Sequence, residues 1–446
     1  MRAPGEILVV NCYEQGRQPV AVAGALAELA RAGFAPHALD VSVERIDDAA
    51  LRQARLLAIS VPMHTALRLG VRVAAIARAA RPDVHVAFFG LYAELNAVHL
   101  LSRHGDSCFG AEAIGPLREL AEALERGSPP PGRARLPRAA EVRAAALVPL
   151  RTGLPGLDRY ARLEHGGERR LVASVEATRG CKHLCRHCPV VPVYRGRFYA
   201  LPAEAVLADA AQQIEAGAGH VSFADPDFLN GPRHALGIVR ELHRRWPAVT
   251  FDATIKIEHL LQHRALLPEL AACGCLFITS AVESLSDRVL SALAKGHTAA
   301  DVPEALRLVR AAGIDLRPTL LPYTPWSALD DVRALFDFAE EHEAGIDPVQ
   351  FTLRLLLPPG SPLAEGSPPW LGPFDAERFT WTWVHPDPRL DELQAASAAT
   401  AAGAVEIGEP PEETFEKLRA LARGEPRRPA SPRRREVPRL TEPWFC

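Results

Sequence analysis

Three cysteines, Cys181, Cys185 and Cys188, follow the spacing Cys-x-x-x-Cys-x-x-Cys within the run Gly-Cys-Lys-His-Leu-Cys-Arg-His-Cys-Pro from Gly180 to Pro189. Thiolates this close in sequence can converge on one soft metal centre. Three of them suit a cubane iron–sulfur cluster in which one iron has no protein ligand. No fourth cysteine stands nearby. An open iron can bind and activate a small molecule, whereas a closed four-cysteine set mostly carries electrons or holds a fold. The alternative is a structural zinc site formed by the three thiols with His183 or His187. Zinc sites, however, usually come as two cysteine pairs or as a cysteine pair with a histidine pair.

The spacing resembles the signature of the radical S-adenosylmethionine (SAM) superfamily. That resemblance implies a [4Fe–4S] cluster on Cys181, Cys185 and Cys188. It also implies SAM held at the open iron through its amino and carboxylate groups, and reductive cleavage to a 5'-deoxyadenosyl radical. One position departs from the pattern: His187 stands where the family usually has an aromatic residue. The segment Asp225-Pro226-Asp227-Phe228 resembles the family's Phe-x-Asp-Asp-x-Phe element, which implies that Asp225 and Asp227 shape the SAM site. Capping of a helix by either carboxylate is the other reading. Ala281-Val282-Glu283-Ser284, followed by Lys295-Gly296-His297-Thr298, resembles the family's Gly-x-Glu-Ser and Lys-Gly-x-Thr stretches. By position Glu283 then lies near the SAM ribose, as suits a carboxylate accepting from two hydroxyls, with Ser284 beside it. Ala281 replaces the usual Gly, and Glu283 and Lys295 could instead be solvated charges.

These groups need strands to place them. The run Leu171 to Val175 precedes the cysteine loop, Leu201 to Ala218 reads as a long helix, and His220 to Phe223 as the next strand. Repeated strand–helix units of this length close into a full or partial barrel with its chemistry at the C-terminal strand ends. The catalytic core is drawn over residues 166–370. Its fifth strand leads to Arg317-Pro318 and its sixth is Val349 to Arg354. Arg317 and Arg354 would face the mouth and hold a carboxylate bidentately, with pairing to neighbouring Asp or Glu as the alternative. Cys273 and Cys275 fall at the far end of a strand and read as core.

Residues 1–125 alternate strand-like runs, such as Ile7 to Val10, Leu56 to Val61 and Val84 to Phe89, with helical stretches. That alternation predicts a parallel sheet covered on both faces. Gln18-Pro19, Ala32-Gly33 leading to Asp40, and Phe88-Phe89-Gly90 make this domain resemble the flavodoxin-like cobalamin-binding domains that precede many radical SAM cores. The Asp-x-His-x-x-Gly segment that supplies a lower-ligand histidine is absent, so cobalamin is left open. Residues 126–165 read as a linker that starts in the Pro-, Gly- and Arg-rich stretch Glu125 to Arg138. Residues 371–424 read as helical, and residues 425–446 as a flexible basic tail.

The tail ends Glu442-Pro443-Trp444-Phe445-Cys446. This ending, with Val349 to Pro362 and His385 to Pro388, resembles a bacterial radical SAM group whose members end in Cys-Cys-Ala-Glu-Pro or Cys-selenocysteine-Ala-Glu-Pro. The resemblance implies a catalytic role for the Cys446 thiol. It further implies that the reading frame continues through a UGA codon.

A chain of 446 residues with 48% hydrophobic and 24% charged residues is long enough for two or three ordinary soluble cores. A formal net charge of −3 gives no overall drive toward nucleic acid or anionic membrane. No apolar run is long enough to span a bilayer and no signal peptide is evident, so a cytoplasmic location is expected. The reading is an α/β radical SAM enzyme with a [4Fe–4S] cluster, SAM and an open place for cobalamin. It would act on an unknown substrate and be served by a reducing partner such as flavodoxin or ferredoxin. The rivals are a cobalamin-free enzyme and a non-catalytic metal-binding protein whose basic tail contacts RNA.

Overall fold

A computed structural model describes residues 1–128, 147–430 and 436–442. In the N-terminal region, β1 (Ile7–Asn11), β2 (Pro36–Asp40), β3 (Leu56–Ser60), β4 (His85–Phe89) and β5 (Ser107–Phe109) form a parallel sheet of order β2-β1-β3-β4-β5. The apolar runs of β1 and β3 are fully buried because helices cover both faces, as all-parallel sheets require. The order reverses between β1 and β3. In open α/β sheets that crevice, at the carboxyl ends of the strands, is where ligands bind.

The second sheet is a curled partial barrel. Strands β6 (Arg162–His165) and β7 (Glu168–Val175) form a hairpin, while β8 (Thr178–Gly180) and β9 (Phe198–Ala200) make a separate two-stranded clamp. Strands β10 (Ala218–Phe223), β11 (Thr250–Thr254), β12 (Cys275–Glu283) and β13 (Asp315–Leu320) follow β7 in parallel. The helices Ala203–Glu215, Pro232–Arg245 and Asp301–Ala311 cover the convex face. Five parallel strands therefore carry the site.

The expected sixth strand, Val349 to Arg354, does not form. Residues Pro348–Thr352 are a 3-10 turn, leaving one isolated bridge between Tyr323 and Arg354. Pro348 has no N–H for a ladder, and the Gln350 side chain takes the Leu320 N–H at 2.9 Å. Residues 371–424 are not wholly helical either: β14 (Leu371–Asp375) and β15 (Thr380–Trp383) form a hairpin before the helices Pro388–Glu406 and Pro411–Arg423. The β15 run Thr-Trp-Thr-Trp has the β-branched and aromatic content that favours strand. Phe379 at the hairpin tip is buried among N-terminal residues such as Tyr92 and Leu100.

Two stretches expected to be free are docked. Within the expected linker, Arg151 is buried, pairs with Asp209 at 2.7 Å and donates to the Ser174 carbonyl at 2.6 Å. Ala161 N–H donates to the Gly16 carbonyl at 2.8 Å. In the basic tail, β16 (Arg439–Leu440) adds antiparallel to β6, with Arg439 paired to Glu164 at 2.8 Å. Glu442 accepts from the Tyr13 hydroxyl at 2.8 Å. Arg427 is also paired, to Glu413. Residues Arg433 to Arg435, Trp444, Phe445 and Cys446 lie outside the described residues. No helix among the described residues is long and apolar enough to cross a membrane.

Candidate active site

The cysteine loop leaves β8 at Gly180, whose φ of 76° and tight surroundings exclude a side chain. A Cβ there would stand 2.4 Å from the Arg197 carbonyl oxygen. The β8–β9 clamp fixes both ends of the segment. Between them the loop is tied to the mouth of the barrel at four points. Asn230, after β10, accepts from Lys182 N–H at 3.2 Å and from the Cys181 thiol at 3.7 Å. His183 meets His259 with Nε2 to Nε2 at 3.0 Å, and His259 Nδ1 lies 3.0 Å from Asp227. Arg186 N–H donates to the Leu293 carbonyl at 2.9 Å. His187 Nε2 reaches Glu283 Oε1 at 3.2 Å.

These contacts turn both histidines away from a zinc site shared with the three thiols. A tetrahedral zinc holds sulfur ligands about 3.8 Å apart, given Zn–S bonds of about 2.3 Å. Among the described residues, the group of potential ligand atoms found within 4.8 Å of one another is His183, Asp227 and His259, with none of the loop cysteines in it. The three Sγ atoms of the loop therefore do not all lie within 4.8 Å of one another. Cys185 is buried, while Cys181 and Cys188 are partly so. Burial raises the Cys181 thiol and pushes Cys188 up to about 12, so these thiolates need a cationic centre to form at neutral pH.

Glu283 ends β12 in a left-handed conformation, φ 63°, just after a register shift against β13. That irregularity aims its carboxylate back at the loop, where it also accepts from Lys295 Nζ at 3.2 Å. Burial alone would raise this carboxyl, but Lys295 and His187 overcome it and hold it at about 2. Lys295 is 2% exposed, and Cys185 and Cys188 lie close enough to raise its pKa along with Glu283. The charges are therefore an internal ion pair beside the cysteines, not solvated ends. His297 is buried nearby, and burial lowers it to about 4 although a hydrogen bond with the Val282 backbone acts to raise it. A neutral imidazole thus stands close to Lys295. It stood within the Lys-Gly-x-Thr stretch, but only burial distinguishes it.

Other expected site residues serve the scaffold. Asp225 accepts from Ala177 N–H at 2.9 Å and Thr178 Oγ1 at 2.5 Å, and Asp227 caps the turn Phe228–Asn230 through Leu229 N–H. Both carboxylates thus fix the approach to the cysteine loop through internal bonds. Ser284 Oγ accepts from Ser286 N–H at 3.2 Å. Arg317 does not reach the mouth: on β13 it stands opposite Thr279 of β12, below the Glu283 level, and pairs with Asp347 at 2.6 Å. Arg354 likewise pairs with Asp391 and stacks 3.5 Å over Trp383. Cys273 and Cys275 are buried in the core. Alanine at either position should keep full iron content and lose about 1 kcal/mol of stability, read by iron assay and urea unfolding.

The carboxyl ends of the first sheet face this mouth. Glu112, after β5, pairs with Arg179 at 2.9 Å and accepts from Tyr194 at 2.8 Å, on either side of the cysteine loop. At the β1/β3 crevice the register partners Asn11 and Ser60 are fully buried, and Asn11 Oδ1 and Ser60 Oγ lack hydrogen-bond partners. Buried polar atoms are rarely left unpaired. Both side chains lie beneath the crevice, closed off from solvent.

A partial barrel with a three-cysteine loop at its mouth thus stands behind a flavodoxin-order sheet. Residues 175–336 match the family model described as Radical SAM superfamily. It is 28% identical over 245 residues to tRNA-2-methylthio-N(6)-dimethylallyladenosine synthase of Mannheimia succiniciproducens, covering 52% of this chain and 47% of that protein. It is 26% identical over 182 residues to ribosomal protein uS12 methylthiotransferase of Geobacter sulfurreducens, covering 38% and 40%. The chain spans about half the length of such curated relatives. In fold it is similar to the cobalamin-dependent SAM radical enzyme OxsB with aqua-cobalamin and SAM bound, at TM-score 0.67 and 15% identity over 93% of this chain and 70% of that one. It is also similar to the radical SAM methyltransferase TsrM from Kitasatospora setae with cobalamin and a [4Fe-4S] cluster bound, at TM-score 0.62 and 18% identity over 82% and 76%.

Proposed function

We propose that the chain binds a [4Fe–4S] cluster on Cys181, Cys185 and Cys188 and SAM at the adjoining mouth, and that it uses a bound corrinoid to transfer a methyl or other alkyl group to its substrate. The observation that carries this reading is the anchoring of the three-thiol loop at four points, Asn230, His259, the Leu293 carbonyl and Glu283, with Lys295 paired to the last. When bound and reduced, the cluster supplies the electron that splits SAM into methionine and a 5'-deoxyadenosyl radical. The protein's own part is positioning. The loop anchors hold the thiols in place, and Lys295 sets a positive charge beside them that favours thiolate. Glu283 keeps that lysine charged in a buried place and holds His187. The neutral His297 offers a hydrogen bond to SAM at the mouth.

The corrinoid is assigned to the β1/β3 crevice, where Asn11 and Ser60 await partners. Protein offered hydroxocobalamin under anaerobic conditions should retain near-stoichiometric corrinoid through gel filtration. Its spectrum should be base-off, because the chain has no Asp-x-His-x-x-Gly segment. An Asn11→Leu/Ser60→Ala variant should retain at least fivefold less, as two polar partners at about 1 kcal/mol each imply. Full loss of corrinoid from the wild type, with the cluster intact, would favour the cobalamin-free enzyme.

Cys446 keeps its proposed role as a thiol that works near the mouth. Strand β16 anchors the tail up to Glu442, and Cys446 lies outside the described residues. The anchor is at Tyr13, past the carboxyl end of β1. Cys446→Ser should leave cofactor content unchanged and abolish substrate turnover, and unchanged turnover would end that role.

A further inference from the structure

Asp227, His259, His183 and Glu258 form a chain of polar side chains along one side of the cysteine loop, and its hydrogen bonds do not close. His259, on the helix Ile257–Gln262, is fully buried, and its Nδ1 lies 3.0 Å from the Asp227 carboxylate. His183, in the middle of the loop between Cys181 and Cys185, turns its Nδ1 to Glu258 Oε2 at 3.5 Å. An ionised carboxylate only accepts, so each Nδ1 that faces one carries the hydrogen of its neutral ring. Both Nε2 atoms are then lone pairs, yet they stand 3.0 Å apart. Moving the His183 hydrogen to Nε2 mends that contact but sets a lone pair on Nδ1 against Glu258.

Two imidazoles that converge through Nε2, each backed by a carboxylate at Nδ1, match the way proteins orient histidines on a metal ion. A tetrahedral ion with metal–nitrogen bonds of about 2.0–2.1 Å holds its nitrogen ligands about 3.3 Å apart, close to the separation found. A third donor is at hand. Asp227 Oδ2 lies 3.8 Å from His183 Nε2, and ligand atoms of His183, Asp227 and His259 all fall within 4.8 Å of one another. The charges also favour a cation. Asp227 and Glu258 bring two negative charges against one positive charge from Lys256, which Glu258 meets at 3.0 Å. A Cβ on Gly296 would stand 2.5 Å from Glu258 Oε2, so the glycine leaves the room that this carboxylate occupies. The side chains of His183 and Glu258 keep some exposure, which gives an ion a way in.

We propose that His183, His259 and Asp227 hold one borderline divalent ion of the zinc class, separate from the cluster and sharing none of its thiols. Imidazole nitrogen together with carboxylate oxygen suits such an ion. The ion ties the middle of the cysteine loop to the helix Ile257–Gln262, and Glu258 orients His183 from outside the coordination sphere. With three protein donors, one position stays open to water or to an oxygen or nitrogen group of a ligand at the mouth.

The test uses the full-length reconstituted protein, equilibrated with zinc chloride and desalted, with zinc per chain read by mass spectrometry. Zinc affinity is measured by competition with a chromophoric chelator, and the ligands are read by X-ray absorption at the zinc edge. The wild type should retain one zinc per chain, with nitrogen and oxygen neighbours at about 2.0–2.1 Å and no sulfur at about 2.3 Å. His183→Ala should bind at least about a hundredfold more weakly, and Glu258→Gln about tenfold more weakly. His37→Ala, at an exposed histidine in the first domain, should bind as the wild type does. Circular dichroism checks that each variant is folded. Zinc should also raise the urea midpoint of the wild type and leave that of His183→Ala unchanged, since a ligand that binds only the folded state stabilises it. A Cys181→Ala/Cys185→Ala/Cys188→Ala variant, which has neither the loop thiols nor a cluster, should bind zinc with wild-type affinity, so this site is tested apart from the cluster assignment. The proposal is overturned if the wild type retains no zinc, which would leave a shared proton between the imidazoles, or if His183→Ala binds zinc as tightly as the wild type. Sulfur in the zinc shell, or loss of zinc from the folded triple-cysteine variant, would equally overturn it by placing the ion on the loop thiols.

Discussion

Single alanine substitutions at Cys181, Cys185 or Cys188 remove the iron–sulfur cluster and abolish SAM cleavage. On the proposed ligand set each thiolate would hold one iron of the cubane, and the fourth iron would have no protein ligand. With two thiolates, half the irons are open and the cluster is lost during reconstitution. No substitute ligand stands ready: His183 is engaged by His259 and His187 by Glu283. Iron and sulfide per chain, with the absorbance near 400 nm typical of such clusters, read the effect. Cys275→Ala, buried at the far end of β12, is the control and should match the wild type. Wild-type iron content in any of the three loop variants would refute the ligand assignment.

Glu283→Gln should be the most damaging change that touches no cluster ligand. Its carboxylate neutralises Lys295, which is buried, and removing one partner of a buried pair costs about 3–5 kcal/mol. The second variant Glu283→Gln/Lys295→Met should recover part of that loss, because it leaves no unpaired charge. The pH dependence has a definite sign. The folded-state carboxyl is held at about 2, below its ordinary 4.5, so its stabilising effect is present above pH 4.5 and is lost as the pH falls toward 2. That difference corresponds to about 3 kcal/mol. Urea unfolding of the cluster-free protein from pH 7 to pH 3 should therefore show a steeper loss in the wild type than in Glu283→Gln. Parallel curves would mean that Glu283 is not held by Lys295 and His187 as the structure has it.

The cysteine spacing was legible because chelation depends on local sequence. So was the first parallel sheet, since buried β1 and β3 are near-continuous apolar runs that no helical period explains. The mistakes fall where long-range contacts decide. Val349 to Arg354 has strand composition, yet the Gln350 side chain satisfies the edge of β13 in place of a backbone ladder. Arg317 stands near a strand end in the sequence, but its register with Thr279 sets it below the mouth, where Asp347 claims it. Strand β16 pairs with a partner more than 270 residues away and carries only two residues, so no periodicity could reveal it. Asp225 and Asp227 were read as shaping the site. They do so indirectly, by holding Ala177, Thr178 and His259, and a one-dimensional pattern cannot tell a ligand contact from such bracing.

The account depends most on SAM being cleaved at this loop. Anaerobically reconstituted protein should be incubated with SAM and dithionite, and the products followed by mass spectrometry. We expect 5'-deoxyadenosine and methionine in equal amounts, dependent on both iron and reductant, and absent from Cys188→Ala. Protein that carries a full complement of iron and sulfide yet yields no 5'-deoxyadenosine, with or without added corrinoid, would contradict the central claim.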